Sequence, residues 1–143
     1  VSKKETAPLP DIRNDRAGVQ PTLLMVDDDE AVLNVGSRIL RKMGYRVLTA
    51  MTGAAAMDLF SAHQDTVRAI VVDMIMPGDT ADGLLAAFKK IAPTVNVFLC
   101  SGFSRNRHVD RLLEKGFDGF IKKPFNSEEL SRQLNEVLRT WQT

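Results

Sequence analysis

Short apolar runs recur along the chain, and each ends at a turn residue or a charged residue. The clearest run spans residues 69–72, whose adjacent valines and short length are typical of a strand buried on both faces of a helix-covered parallel sheet. It ends at Asp73, and Pro77 follows, which cannot continue a ladder of hydrogen bonds. Similar runs predict four further strands at Thr22–Val26, 45–49, 95–100 and Gly119–Lys122.

Between these runs, apolar residues recur at helical spacing. The first predicted helix covers residues 31–43, and its apolar positions are Val32, Val35, Ile39, Leu40 and Met43. Further helices are predicted over Gly53–His63, 84–91, 105–115 and 126–141, with residues 76–83 as a loop.

Two of these helices carry start signals. Thr52 is a suitable N-cap for the second helix, and Asn126 with Glu129 forms a capping-box pattern at the start of the last one. The last helix has an apolar stripe for packing on the sheet, formed by Leu130, Leu134, Val137, Leu138 and Trp141.

The order is therefore five units of strand followed by helix. This alternation predicts an α/β fold with a parallel sheet, right-handed crossovers and helices on both faces. Residues 1–20 are polar, contain Pro8, Pro10 and Gly18, and lack periodicity, so we interpret them as a flexible arm or linker before a domain over residues 21–143.

The composition restricts the kind of partner. With 19 basic and 18 acidic residues, the balanced charge argues against a nucleic-acid or membrane surface. No apolar run approaches the roughly 20 residues of a membrane span, and no signal peptide is visible. Cys100 is the single cysteine and cannot form an internal disulfide, so we expect a cytoplasmic location.

Polar side chains follow four of the predicted strands. Asp27 and Asp28 come after the first, Asp73 after the third, Ser101 after the fourth and Lys123 after the fifth. The carboxyl ends of parallel strands share one edge of a sheet, where α/β proteins bind ligands. Three carboxylates together with few other protein ligands suit Mg²⁺, while a lysine and a hydroxyl suit a phosphate group. This combination indicates phosphoryl transfer, with a carboxylate as the nucleophile.

These strand ends lie within four motifs, LLMVDDDE, VVDMIMP, FLCSG and FIKKPF. In this order they resemble the receiver domain of two-component response regulators. The resemblance implies a doubly wound, flavodoxin-like sheet of five parallel strands in the order 2-1-3-4-5. It implies that Asp73 accepts a phosphoryl group from a sensor histidine kinase or a histidine-phosphotransfer protein. Such a domain is a signalling module that promotes its own Mg²⁺-dependent phosphorylation and dephosphorylation, whether it stands alone or belongs to a hybrid histidine kinase.

The resemblance also implies a role for each site residue. Asp28, Asp73 and the backbone carbonyl of Ile75 would bind Mg²⁺ directly, and Asp27 would hold it through water. In the same way, Lys123 would pair with the phosphate.

Two further residues would take part in switching by the same resemblance. Ser101 would bond the phosphoryl oxygen and move when it arrives, and Phe120 stands at the family's switching aromatic position. Phe120 has no hydroxyl, so a switch there must work by packing. The resemblance implies a cis peptide bond between Lys123 and Pro124. Residues 78–82 delay Gly83 relative to the common pattern, so the loop after Asp73 is longer.

Two other functions stay open at this point. Asp27, Asp29, Ser101 and Lys123 are also similar to the motifs of a small phosphatase of the haloacid dehalogenase type, in which Asp27 would be the nucleophile. That interpretation leaves Asp73 unexplained, and the chain is too short for a cap domain. A binding domain without phosphorylation is the third interpretation, and the intact set of acidic residues argues against it.

Other polar residues have simpler interpretations. Asp29 and Glu30 suit a solvated helix start, Lys122 a surface position and Cys100 the core. The basic residues Arg105, Arg107, Arg111 and Lys115 form either a solvated face or a surface for docking or for a phosphorylation-dependent homodimer. No helix-turn-helix follows the domain, so direct DNA binding is not expected.

Overall fold

The computed structural model describes the backbone of residues 21–142 and the side chains of residues 21–135. The proposed arm, residues 1–20, and the side chains of Val137, Leu138 and Trp141 lie outside these described residues. In chain order the elements are β1 (Thr22–Val26), α1 (Glu30–Lys42), β2 (Arg46–Ala50), α2 (Gly53–His63), β3 (Val67–Asp73), β4 (Ile75–Met76), β5 (Asp79–Thr80), α3 (Ala81–Ile91), β6 (Asn96–Ser101), α4 (Arg107–Leu113), β7 (Gly119–Lys122) and α5 (Ser127–Gln142).

Five of the strands form one parallel sheet in the order β2-β1-β3-β6-β7. This confirms the predicted doubly wound topology, because β6 and β7 are the fourth and fifth strands of the sheet. The register pairs Val26 of β1 with Val72 of β3, and Asp73 with Cys100 of β6. The carboxyl ends of these three central strands therefore lie side by side.

Helices cover both faces of the sheet, as expected for a doubly wound fold. Alternate strand residues point to opposite faces. Leu24 and Val26 join an apolar cluster with α2, α3 and α4, where the rings of Phe60 and Phe88 meet edge to face at 5.5 Å. Leu23 and Met25 join a second cluster with α1 and α5, which includes the buried Leu130 and Leu134 of the predicted stripe.

The inward face of α1 agrees only in part with the predicted one, because Val32, Ile39, Leu40 and Met43 pack towards the core but Val35 does not. Val35 is 47% exposed, whereas Leu33 is 4% exposed. Gly36 explains the rotation: a Cβ atom there would lie 2.4 Å from Cε of Met25 and 2.9 Å from the ring of Phe125. The helix therefore packs closely on the sheet through its smallest residue, and the periodicity of large apolar residues does not detect such a contact.

Helix starts follow the predicted capping residues. Thr52 accepts the backbone N–H of Ala55 at 3.1 Å, and Asn126 accepts that of Glu129 at 2.8 Å. The fourth helix is shorter than predicted and begins at Arg107, because the side chain of Asn106 accepts the N–H of Val109 at 2.9 Å and caps it there.

The prediction of a loop over residues 76–83 is wrong in its second half, where the structure has a short strand and the start of α3. β4 and β5 form an antiparallel hairpin immediately after Asp73, with Gly78 at its turn in a left-handed conformation (φ +81°). Thr80 caps α3 by accepting the N–H of Gly83 at 3.1 Å, so this helix begins at Ala81, three residues earlier than predicted. Within the described part of the chain, no helix has the length and apolar character needed to cross a membrane.

The rotation of α1 predicts unequal effects for two substitutions on the same helix. Leu33→Ala should lower the free energy of unfolding by about 2–5 kcal/mol, because it leaves a cavity under α1. Val35→Ala should change it by less than about 0.5 kcal/mol, because Val35 lies at the surface. Urea denaturation followed by circular dichroism measures both. Equal destabilisation would contradict this packing.

Candidate functional site

Three carboxylates meet at the carboxyl edge of the sheet. Asp27 follows β1 and Asp73 ends β3, and the pairing of these strands brings the two side chains together. One carboxylate oxygen each from Asp27, Asp28 and Asp73 lies within 4.8 Å of the other two. Asp27 and Asp73 are buried, whereas Asp28 is exposed. Two members of the cluster are therefore buried, and solvent reaches the cluster on the side of Asp28.

Lys123 holds the two buried carboxylates. Its Nζ donates to Oδ2 of Asp27 at 3.0 Å and to Oδ1 of Asp73 at 3.2 Å. Its backbone N–H donates to the carbonyl of Ser101 at 2.8 Å, which fixes its position just beyond β7. The neighbouring Lys122 is exposed, and its Nζ donates to the carbonyl of Gly102 at 3.2 Å. The Lys123–Pro124 peptide bond is cis, as the family resemblance implies.

The charges of the cluster are not balanced. Burial raises the pKa of Asp73, and the charge of Asp27 raises it further, while the charge and hydrogen bond of Lys123 act in the opposite direction. Burial alone would lower the pKa of Lys123, but its hydrogen bond to Asp27 and the charges of both buried carboxylates outweigh that and raise it. One lysine thus faces three carboxylates. An all-oxygen donor set with excess negative charge fits a hard divalent cation.

Ser101 ends the neighbouring strand β6, one position after the register partner of Asp73. Ser101 is 2% exposed, and its Oγ accepts the backbone N–H of Phe103 at 2.9 Å. Its predecessor Cys100 is opposite Asp73 in the register and is buried, as predicted; burial raises the pKa of its thiol.

The remaining predicted residues lie around the edge. Ile75 begins β4, two positions after Asp73, and is 59% exposed. Phe120 pairs with Leu99 in the register and is half-buried against the α2–α4 cluster. A surface cavity of about 470 Å³ lies beside Phe120, with Arg105 and Gln133 among its lining residues.

Several acidic and basic side chains are engaged elsewhere. Asp29 caps α1 by accepting the N–H groups of Ala31 and Val32, as its sequence position predicts. Its own N–H donates to Oδ1 of Asp27 at 2.9 Å, which helps to orient that carboxylate. Arg105 pairs with Asp110 at 2.7 Å and Lys115 pairs with Asp82 at 3.3 Å, so two of the four predicted basic residues have acidic partners.

One residue near the site was missed by the sequence analysis. The carboxylate of Asp79, at the start of β5, accepts the backbone N–H of Gly53 at 3.2 Å. The extra residues before Gly83 were a visible signal of unusual structure here, but they do not indicate a hairpin or its contact with α2.

Comparison with known proteins gives the family. The profile of the response regulator receiver domain matches residues 23–135. The chain is similar to the two-component response regulator ORR3 of Oryza sativa, with 34% identity over 121 residues that cover 83% of this chain and 92% of that protein. It is also similar to the sensor kinase CckA of Brucella abortus, with 30% identity over 117 residues. That match covers 82% of this chain and spans 12% of the length of the kinase.

The fold agrees with these matches. A response regulator receiver domain protein from Clostridium thermocellum superposes with a TM-score of 0.79 at 23% identity, covering 85% of this chain and 97% of that one. At this identity the likeness concerns the fold, whereas the family profile covers most of the sequence. The chain therefore belongs to the family of response regulator receiver domains of two-component systems.

Proposed function

We propose that this domain is a phosphoacceptor module in which Asp73 accepts a phosphoryl group from a phosphohistidine of a sensor histidine kinase or a histidine-phosphotransfer protein. One observation carries the proposal: Asp73 is 7% exposed, lies within 4.8 Å of two further carboxylates, and is bonded to Lys123. An oxygen of Asp73 attacks phosphorus, the phosphorus–nitrogen bond breaks, and the histidine leaves. The product is an acyl phosphate on Asp73.

The acidic cluster would hold Mg²⁺ through Asp28, Asp73 and the backbone carbonyl of Ile75, with Asp27 bound through water. When bound, the metal offsets the repulsion between the carboxylates and the incoming phosphate. Lys123 supplies a compact positive charge that pairs with a phosphoryl oxygen. Asp27 keeps this lysine at the edge of the sheet through the 3.0 Å contact.

Ser101 and Phe120 would convert phosphorylation into a change of surface. A hydroxyl donating to the phosphoryl group draws Ser101 towards Asp73. Because Oγ of Ser101 accepts the N–H of Phe103, the loop after β6 is coupled to this movement. Phe120 packs beside a cavity of about 470 Å³, which provides space for its ring to change position. The two conformations would differ in affinity for a protein partner, including a second copy of the domain.

The module would act in the cytoplasm, without direct contact to DNA or membrane, and would catalyse only its own phosphorylation and dephosphorylation. The phosphatase interpretation needs Asp29 as an acid beside Asp27. Asp29 instead accepts two backbone N–H groups at the start of α1, which favours Asp73 as the nucleophile.

The identity of the phosphorylated residue is the first test. We expect acetyl phosphate with Mg²⁺ to add one phosphoryl group to the wild type, measured by intact mass, and Asp73→Asn to lose the adduct because the amide is not a nucleophile. Asp29→Asn is the matched control: asparagine also caps a helix, so the adduct should persist. An adduct that survives Asp73→Asn but is lost in Asp27→Asn would favour the phosphatase instead.

The charge balance predicts opposite stability effects for two neutralising substitutions in Mg²⁺-free buffer. Asp73→Asn should raise the free energy of unfolding, because it removes a buried charge beside Asp27. Lys123→Gln should lower it by about 3 kcal/mol, because both buried carboxylates lose their cation. Thermal denaturation with and without Mg²⁺ measures both.

The metal supplies the second part of this test. Saturating Mg²⁺ should stabilise Lys123→Gln more than the wild type, since the bound cation replaces the lost charge. If Mg²⁺ left the Tm of Lys123→Gln unchanged, the acidic cluster would not be a metal site.

A further inference from the structure

The hairpin of β4 and β5 connects the acidic cluster to α3. It leaves β3 directly after Asp73 and pairs Ile75 with Thr80 and Met76 with Asp79. Met76 is 6% exposed and packs in the core under α2–α4, whereas Ile75 is exposed. The hairpin therefore has one buried side, and its first residue is the one whose carbonyl is proposed to bind the metal.

Asp79 fixes this hairpin to a third element. Its Oδ2 accepts the backbone N–H of Gly53 at 3.2 Å, although the two residues are 26 positions apart. Gly53 is the first residue of α2, where a negative charge is favourable because the backbone N–H groups at the start of a helix carry partial positive charge.

The fit at this contact is close. A Cβ atom on Gly53 would lie 2.6 Å from Oδ1 and 2.7 Å from Cγ of Asp79, so any larger residue would displace the carboxylate. Gly53 is itself buried, and Asp79 is half-buried. The carboxylate of Asp79 can thus approach the start of α2 this closely because residue 53 has no side chain.

We propose that Asp79 is a positioning residue of the phosphoacceptor site: its bond to Gly53 holds the hairpin so that the backbone of Ile75 lies beside the carboxylate cluster. This inference rests on the proposed function, since it concerns the metal at that site. Asp79 would act through the hairpin, because it is not one of the three carboxylates of the cluster.

The test is an Mg²⁺ titration of the domain followed by amide NMR signals, without any phosphodonor. Asp79→Ala should raise the dissociation constant for Mg²⁺ roughly ten-fold, the size of effect usual when residues supporting metal ligands are removed. Asp58→Ala is the matched control, because Asp58 is an exposed acid on α2. It should leave the dissociation constant unchanged.

Two further variants separate position from charge. Asp79→Asn removes the charge but keeps an oxygen acceptor, so its Mg²⁺ affinity should stay close to that of the wild type. Gly53→Ala keeps the charge but displaces the carboxylate, so its affinity should fall as in Asp79→Ala. In both weakened variants the amide of residue 53 should exchange with solvent faster. Well-dispersed spectra establish that each variant is folded.

Three results would overturn the inference. Equal weakening in Asp79→Ala and Asp79→Asn, with wild-type affinity in Gly53→Ala, would mean that the charge of Asp79 acts at a distance. Wild-type affinity in all variants would refute the positioning role and leave the metal site intact. A wild type whose spectra do not respond to Mg²⁺ would refute the metal site itself and, with it, the role of Asp79.

Discussion

The contact between Lys123 and two buried carboxylates is the interaction on which the rest of the site depends. Like charges at the end of a sheet repel, and burial strengthens that repulsion by removing water. Asp27 and Asp73 come from adjacent strands, so the strand order itself creates the conflict. Lys123, which follows the edge strand β7, reduces the conflict without removing it. The remaining excess of negative charge is what a bound divalent cation would offset.

The elements around this site are held by small, local contacts. Gly36 allows α1 to approach Met25 and Phe125, and Phe125 follows two positions after Lys123. Asp29 both caps α1 and donates its N–H to Asp27. The carboxylates are therefore positioned by helix starts and close helix–sheet packing, and not by the strands alone. Such support is what a site needs if charged groups are to keep a fixed separation.

Most of the fold and the clustering of polar side chains at one edge of the sheet were predictable from the sequence, because strong local signals specify them. Apolar runs located the five sheet strands, capping residues such as Thr52 located helix starts, and polar residues after strands identified Asp27, Asp73 and Lys123. The errors have a physical cause in common. The inward face of α1 includes the close contact of Gly36 with Met25 and Phe125, and the hairpin after Asp73 contacts α2 through the bond between Asp79 and Gly53. Both are contacts between distant segments, which neither periodicity nor composition records.

The sheet also separates the two apolar clusters of the domain. Consecutive residues of β6 and β7 pack on opposite faces of the sheet. Leu99 and Phe120 pack towards α2, α3 and α4, while Cys100 and Ile121 pack towards α1 and α5. The displacement proposed for the Phe120 ring would therefore disturb the packing against α2, α3 and α4 first, because the hydrogen-bonded strands lie between this ring and the side of α1 and α5. A change in the packing of one face therefore need not alter the packing of the other.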